Sequence, residues 1–260
     1  LQHSQYPNLR QNTANGKVNY GLPRRMELDF DVPALAIDRA AGSANSAGMG
    51  DADMGVKWEF HKAAQPLSFP SLAASLYIEF PTGDTRKELG SGLRDYVLNS
   101  IAQEALTDKT RVTGNFGYLF AGNTSTGVLG VQTTRGHVFT GGLSLLHDLN
   151  SRWTLGGEVY GAIGDTAGLG KDQFQGLIGG DYQPRDNLAF TFAVLGGAHE
   201  ASPTIGGQVG FEIDFKSFLR RSPKRGASTR ATQPSRNGDY DGVQSGNVEV
   251  CAALCLIGRR

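Results

Sequence analysis

The chain has 260 residues, with 25 Lys plus Arg and 25 Asp plus Glu, so its formal net charge is zero. This balance excludes a globally basic nucleic-acid binder. No stretch approaches the roughly 18 consecutive apolar residues that a membrane-spanning helix requires, which excludes a helical membrane protein. A transmembrane β-barrel is not excluded, because its strands alternate between apolar and polar residues and its mean hydropathy is ordinary.

Apolar and polar residues alternate with a period of two along most of the chain, which predicts strands rather than helices. In chain order, the predicted strands lie at 12–22, 26–32, 54–60, 72–80, 95–103, 112–120, 139–145, 153–163, 173–182, 188–194 and 208–215. Many of them reach the roughly 9–11 residues of a membrane-spanning strand, whereas strands of globular proteins have about 5–6 residues. Their number, length and spacing favour a transmembrane barrel over a soluble β-protein.

The predicted connections alternate between short and long. The short connections are 23–25, 61–65, 106–109, 148–152 and 183–187, and the long ones are 38–49, 82–94, 121–136, 164–172 and 196–204. Outer-membrane barrels have short periplasmic turns and longer outer loops. The alternation therefore predicts which ends of the strands face the periplasm.

Six aromatic residues lie at the predicted periplasmic ends of strands and are expected to form a girdle at the membrane interface. They are Tyr20, Trp58, Phe60, Trp153, Tyr182 and Phe215. An ordinary aromatic core of a soluble protein is the alternative explanation.

The direction of the strands predicts that one strand is missing at the N-terminus. If Phe215 ends the last strand at the periplasmic side, segment 12–22 also runs towards the periplasm. Bacterial single-chain barrels have an even number of strands. We therefore expect an all-β, antiparallel transmembrane barrel of about twelve strands, with its first strand truncated or missing. The expected divisions are a disordered or remnant N-terminus at 1–11, the barrel at 12–215 and a tail at 216–260.

The predicted tail has nine Lys or Arg and three Asp or Glu residues and is rich in Ser, Gly and Asn. This composition predicts a basic, disordered C-terminal segment. An unstructured extension is favoured over a tail that binds nucleic acid, lipid headgroups or peptidoglycan, and no nucleic-acid partner is expected.

Charged and tyrosine side chains on the face opposite the lipid-facing stripe are predicted to line the lumen. They are Glu27, Asp29, Asp31, Asp53, Lys57, Glu59, Tyr77, Glu79, Glu158, Tyr160, Glu212 and Asp214. Nine acids and one base would make a wall that repels anions, and the two tyrosines could contact an aromatic solute. The alternative is that these acids hydrate or pair inside a plugged, structural barrel.

Catalytic and metal sites are weakly indicated. His147 and Asp148, with Ser151 nearby, form the one local Ser–His–Asp cluster, which is explained more simply as a polar turn. Carboxylates two residues apart, as in 29–31 and 51–53, could bind calcium, but a polar lumen face is the favoured explanation. We therefore predict no catalytic residue, no metal and no cofactor.

Short motifs in a consistent order accompany the strands: Tyr20-Gly21-Leu22, Gly50-Asp51-Ala52-Asp53-Met54-Gly55, Pro81-Thr82-Gly83-Asp84, Leu155-Gly156-Gly157-Glu158 and Gly210-Phe211-Glu212. Over residues 12–215 the chain resembles the outer-membrane barrels of the MetA-pathway phenol-degradation family. The resemblance implies location in the outer membrane and a channel for hydrophobic or aromatic compounds, with no established catalytic residues.

The sequence and the resemblance together predict passive uptake of small apolar or aromatic compounds, with outer loops 38–49, 82–94 and 121–136 controlling access. The expected partners are outer-membrane lipid, a small hydrophobic or aromatic solute and the barrel assembly machinery. The alternatives are a structural or adhesive barrel that acts through its outer loops and a barrel lipid hydrolase.

Overall fold

The computed structural model describes residues 1–40, 44–122, 135–164, 173–199 and 202–215. These residues form thirteen β-strands and two short 3-10 turns, and the described part contains no α-helix. The strands are β1 (Gln2–Gln5), β2 (Leu9–Leu22), β3 (Met26–Arg39), β4 (Ser46–Met49), β5 (Ala52–His61), β6 (Ser71–Phe80), β7 (Asp95–Thr107), β8 (Thr110–Gly122), β9 (Arg135–Asp148), β10 (Trp153–Gly164), β11 (Gln173–Arg185), β12 (Leu188–Gly197) and β13 (Ile205–Ile213).

The strands form a closed antiparallel barrel. Consecutive strands from β5 to β13 pair with each other, and β1 pairs with both β13 and β2. Pairing of β2 with β3 completes the ring. Because β4 and β5 pair with successive parts of β3, they share one position in the wall. The result is the twelve-stranded barrel that the alternating pattern predicts.

The eleven predicted strands are all present, and β1 supplies the twelfth position. This first strand has four residues and covers only part of β2, with Gln2 opposite Thr13 and Gln5 opposite Arg10. Residues 1–11, predicted as a disordered or remnant segment, contain β1 and the start of β2, which begins at Leu9. The predicted outer loop 38–49 is partly strand, because backbone pairing extends β3 to Arg39 and adds β4.

The distribution of side chains is inverted relative to a soluble protein. In the described residues, buried polar side chains outnumber buried hydrophobic ones, and large hydrophobic side chains such as Phe116, Leu143 and Ile178 are exposed. Adjacent residues of a strand point to opposite faces of the sheet. The polar face is therefore turned into the barrel and the apolar face outwards, as a surrounding lipid phase requires.

The predicted tail at 216–260 and most of the predicted loops 121–136 and 164–172 lie outside the described residues. Within the described part, no helix has the length and apolar character needed to cross a membrane.

Candidate channel interior

Four buried carboxylates stand side by side on neighbouring strands. Asp31 of β3 lies opposite Asp53 of β5, Asp53 lies opposite Glu79 of β6, and Glu79 lies opposite Asp95 of β7. Their relative exposures are 5%, 2%, 8% and 1%. Like charges directly opposite each other destabilise a sheet. We name this row the acidic wall; sequence analysis predicted three of its members and missed Asp95, which is the first residue of its strand.

A tyrosine and an aspartate are hydrogen-bonded in the layer of side chains next to the acidic wall. Tyr77 of β6 donates a hydrogen bond from its hydroxyl to Asp29 Oδ2 of β3 at 2.6 Å. The ring reaches across Gly55 of β5, where an added Cβ would lie 2.1 Å from Tyr77 Cδ1. Glycine at position 55 is therefore required by this contact, and Tyr77 and Asp29 are both buried.

The base in the predicted set pairs with one of its acids. Lys57 Nζ of β5 lies 2.7 Å from Glu27 Oε1 of β3, directly opposite in register. Glu59 follows on the same face of β5 and is half-buried. This pair lies nearer the periplasmic end than the acidic wall, so the interior is less acidic there.

A second surface of the interior is apolar. Leu119 of β8 lies opposite both Val97 of β7 and Val138 of β9. Leu119 and Val138 are each 4% exposed, and they pack in one cluster with Tyr160 and Ala162 of β10. We name this surface, made by residues 97, 119, 138, 160 and 162, the apolar wall.

Sequence analysis predicted only Tyr160 from this surface. The strand around Leu119 has aromatic residues on both sides of it, Tyr118 and Phe120, so apolar character does not distinguish its two faces. The intervening glycines of β9 and β10 weaken the alternation further. The pairing of Leu119 with Val97 and Val138 is the signal that identifies the surface.

The remaining predicted lumen residues occupy different depths. Glu158 and Glu212 are half-buried, with Glu158 opposite Ser144 on β9 and Glu212 opposite Ala189 on β12. Asp214 lies one residue beyond β13 and is exposed. The structure therefore places it at the periplasmic mouth instead of within the wall.

The predicted interface aromatics lie at the periplasmic ends of the strands. Tyr20, Trp58, Phe60, Trp153 and Phe215 are exposed, with Tyr20 and Phe215 at 63% and 70%. Trp153 stacks on Tyr182 with ring centroids 4.5 Å apart, and Trp58 contacts Phe60 at 5.7 Å. Four of the six rings therefore form two pairs at this end of the barrel.

The Ser–His–Asp cluster is not assembled for catalysis. His147 Nδ1 is 2.9 Å from Thr110 Oγ1, whereas Asp148 pairs with Arg111 at 3.1 Å and accepts a hydrogen bond from Thr154. As neighbours in β9, His147 and Asp148 point to opposite faces of the sheet. Among the described residues, no group of three or more His, Cys, Asp or Glu side chains is arranged to hold a metal ion.

Comparisons with known proteins agree with this architecture. Residues 12–217 match the family described as "Putative MetA-pathway of phenol degradation". No curated protein matches the chain by sequence. The solved COG4313 outer membrane channel from Pseudomonas putida F1 is similar in fold, with a TM-score of 0.64 and 15% identity, over 82% of this chain and 92% of that one.

Two solved porins have the same fold. The KdgM porin in complex with disordered oligogalacturonate has a TM-score of 0.55 and 12% identity, over 82% of this chain and 96% of that chain. The NanC porin has a TM-score of 0.53 and 10% identity, with corresponding coverage of 82% and 98%. The protein is thus an outer-membrane β-barrel with the fold of porins and channels, and the chain belongs to the MetA-pathway phenol-degradation family.

Proposed function

We propose that the barrel is a passive channel for small apolar or aromatic compounds. The apolar wall carries this proposal, because it places buried Leu119, Val138 and Tyr160 inside a barrel whose other interior side chains are mostly polar. Ligand sites for small organic molecules are typically lined by hydrophobic and aromatic side chains with a few polar groups.

The acidic wall supports a preference for neutral or cationic solutes over anions. Its four carboxylates are buried side by side on neighbouring strands and face the barrel interior. A row of one sign of charge raises the local concentration of ions of the opposite sign. In this proposal the apolar wall contacts the body of the solute and the acidic wall excludes anions.

The channel mechanism requires no bond to be made or broken. The solute enters from the outer side, where the loops control access, passes between the two walls and leaves at the periplasmic mouth. Outer-membrane lipid surrounds the barrel through its exposed apolar face and the aromatic residues described above. We propose that the barrel assembly machinery inserts the chain and that neither a cofactor nor a catalytic residue takes part.

The test is the ion current through the purified protein in a planar lipid bilayer, recorded while benzyl alcohol is added. Benzyl alcohol is expected to interrupt the current, and the Leu119→Asn variant should need roughly tenfold more of it, since one buried leucine contributes about 1.5–3 kcal/mol. Leu143→Asn is the matched control, because Leu143 is 54% exposed on the outer face. If the wild type and both variants needed the same concentration of benzyl alcohol to interrupt the current, the proposal would be contradicted.

A further inference from the structure

The outer loop between β6 and β7, residues 81–94, is attached to the barrel wall by hydrogen bonds that converge on one carboxylate. Asp51, between β4 and β5, accepts hydrogen bonds from the backbone N–H of Gly83 at 2.8 Å and of Ser91 at 2.6 Å. Asp51 and Ser91 are each 8% exposed. The two amides lie near opposite ends of the loop, so a single side chain holds both of its arms.

Thr82 adds a second attachment at the same place. Its hydroxyl donates to the carbonyl oxygen of Gly50 at 2.8 Å and accepts from the N–H of Ala52 at 3.0 Å. These bonds bracket Asp51 in the chain. The loop is thereby joined to both sides of the break between β4 and β5.

The tip of the loop is packed as well as hydrogen-bonded. Leu89 is 4% exposed, and an added Cβ on Gly48 of β4 would lie 2.9 Å from Leu89 Cδ1. Gly48 is paired with Leu35, which lies two residues from the buried Ile37 and so on the interior side of β3. Leu89 therefore lies against the interior side of the outer mouth, and an ion pair between Glu88 and Arg39 holds the tip there.

Glycines permit this close approach. A Cβ on Gly83 would lie 2.4 Å from the carbonyl oxygen of Leu89, and a Cβ on Gly90 would lie 2.3 Å from Asp51 Oδ1. Asp51 belongs to the Gly50-Asp51 motif, and Gly83 belongs to the Pro81-Thr82-Gly83-Asp84 motif. The two motifs are thus parts of one contact between the wall and the loop.

We propose that loop 81–94 is a fixed constriction of the outer mouth and that Asp51 is the residue that positions it. Asp51 does not contact the solute; it acts by holding the loop across the entrance. The inference rests on the proposed channel function, to which it adds the element that limits passage. A loop held by a carboxylate with two backbone donors should be rigid, since hydrogen bonds to charged groups are the stronger ones.

The experiment compares Asp51→Ala, Asp51→Asn and wild type by two measurements on the folded protein. The first is the rate of tryptic cleavage after Arg86 or Lys87, which lie exposed in the loop. The second is single-channel current in a planar bilayer. The heat-dependent shift in gel mobility establishes that each variant is a folded barrel.

Asp51→Ala is expected to raise the cleavage rate by on the order of tenfold or more and to raise the single-channel current, because two charge-assisted bonds are lost. Asp51→Asn retains one acceptor oxygen and should be intermediate. The matched control is Asp38→Ala, since Asp38 is an exposed acid at the outer end of β3. Its cleavage rate and current should equal those of wild type.

Two results would overturn the inference. Faster cleavage of Asp51→Ala with unchanged current would mean that the loop is not the constriction, and unchanged cleavage would mean that Asp51 does not position the loop. Failure of the channel function itself gives a different result, because neither wild type nor any variant would then carry current.

Discussion

The acidic wall and the apolar wall occupy the same barrel interior, yet they are built differently. In the strands that carry the acidic wall, acids alternate with lipid-facing apolar residues, and in the next layer of side chains Gly55 leaves room for Tyr77 to reach Asp29. In the apolar wall, Leu119 and Val138 pack directly against each other with no hydrogen bonds to satisfy. The layer beside the acidic wall therefore depends on a specific hydrogen bond, whereas the contact between Leu119 and Val138 depends on shape and on exclusion of water.

One row of paired residues runs from the layer beside the acidic wall into the apolar wall. Asp29, Gly55, Tyr77, Val97, Leu119 and Val138 are successive cross-strand partners on strands β3 to β9. The row is acidic at one end and apolar at the other, with Tyr77 between. A tyrosine suits this position because it has an apolar ring and a hydroxyl that finds a polar partner.

Placing a charge in the apolar wall should have the largest effect on stability. We expect Leu119→Asp to lower the free energy of unfolding by about 3–5 kcal/mol, because the new carboxylate is buried without a partner. The measurement is urea unfolding in lipid vesicles followed by tryptophan fluorescence. Leu119→Asn is the uncharged control; if the two variants were equally stable, the wall would be hydrated rather than apolar.

Removing the Tyr77 hydroxyl should have a smaller effect. Tyr77→Phe is expected to lower the free energy of unfolding by about 1.5–3 kcal/mol. The charged acceptor Asp29 loses its hydrogen bond in this variant but stays buried. The same unfolding assay applies. Tyr96→Phe serves as the control because Tyr96 is 40% exposed on the outer face. If both variants lost the same free energy of unfolding, the bond to Asp29 would make no specific contribution to stability.

Filling the space beneath Tyr77 should have a comparable or slightly smaller effect. Gly55→Ala places a methyl group against the Tyr77 ring. We expect this overpacking to lower the free energy of unfolding by about 1–3 kcal/mol. Gly114→Ala is the control, because its nearest contact would be Leu143 Cδ1 at 3.9 Å. A Gly55→Ala barrel as stable as the control would mean that Tyr77 adopts another position at no cost.

Alternation is clear in the strands that carry the predicted acids of the acidic wall, because apolar residues flank these acids in the sequence. Asp29, Asp31 and Asp53 could be assigned to one face from alternation alone. The first strand could not be predicted: Gln2 and Ser4 face inwards from a polar segment, and its pairing with β13 is a contact between residues about 200 positions apart.

The attachment of loop 81–94 was also beyond prediction. Asp51 was interpreted as a lumen or calcium-type carboxylate, but its partners are backbone amides 32 and 40 residues away. Backbone donors leave no trace in the type of residue that carries them. Such contacts therefore become visible only when the strands are placed side by side.

The most direct test of the account compares three aromatic probes of similar size on single channels of the wild-type protein. Benzyl alcohol is neutral, benzylamine is a cation and benzoate is an anion at neutral pH. If the apolar wall contacts the ring and the acidic wall excludes anions, benzylamine and benzyl alcohol will interrupt the current at lower concentrations than benzoate. Benzoate acting at the same or a lower concentration, or no interruption by any probe, would contradict the account.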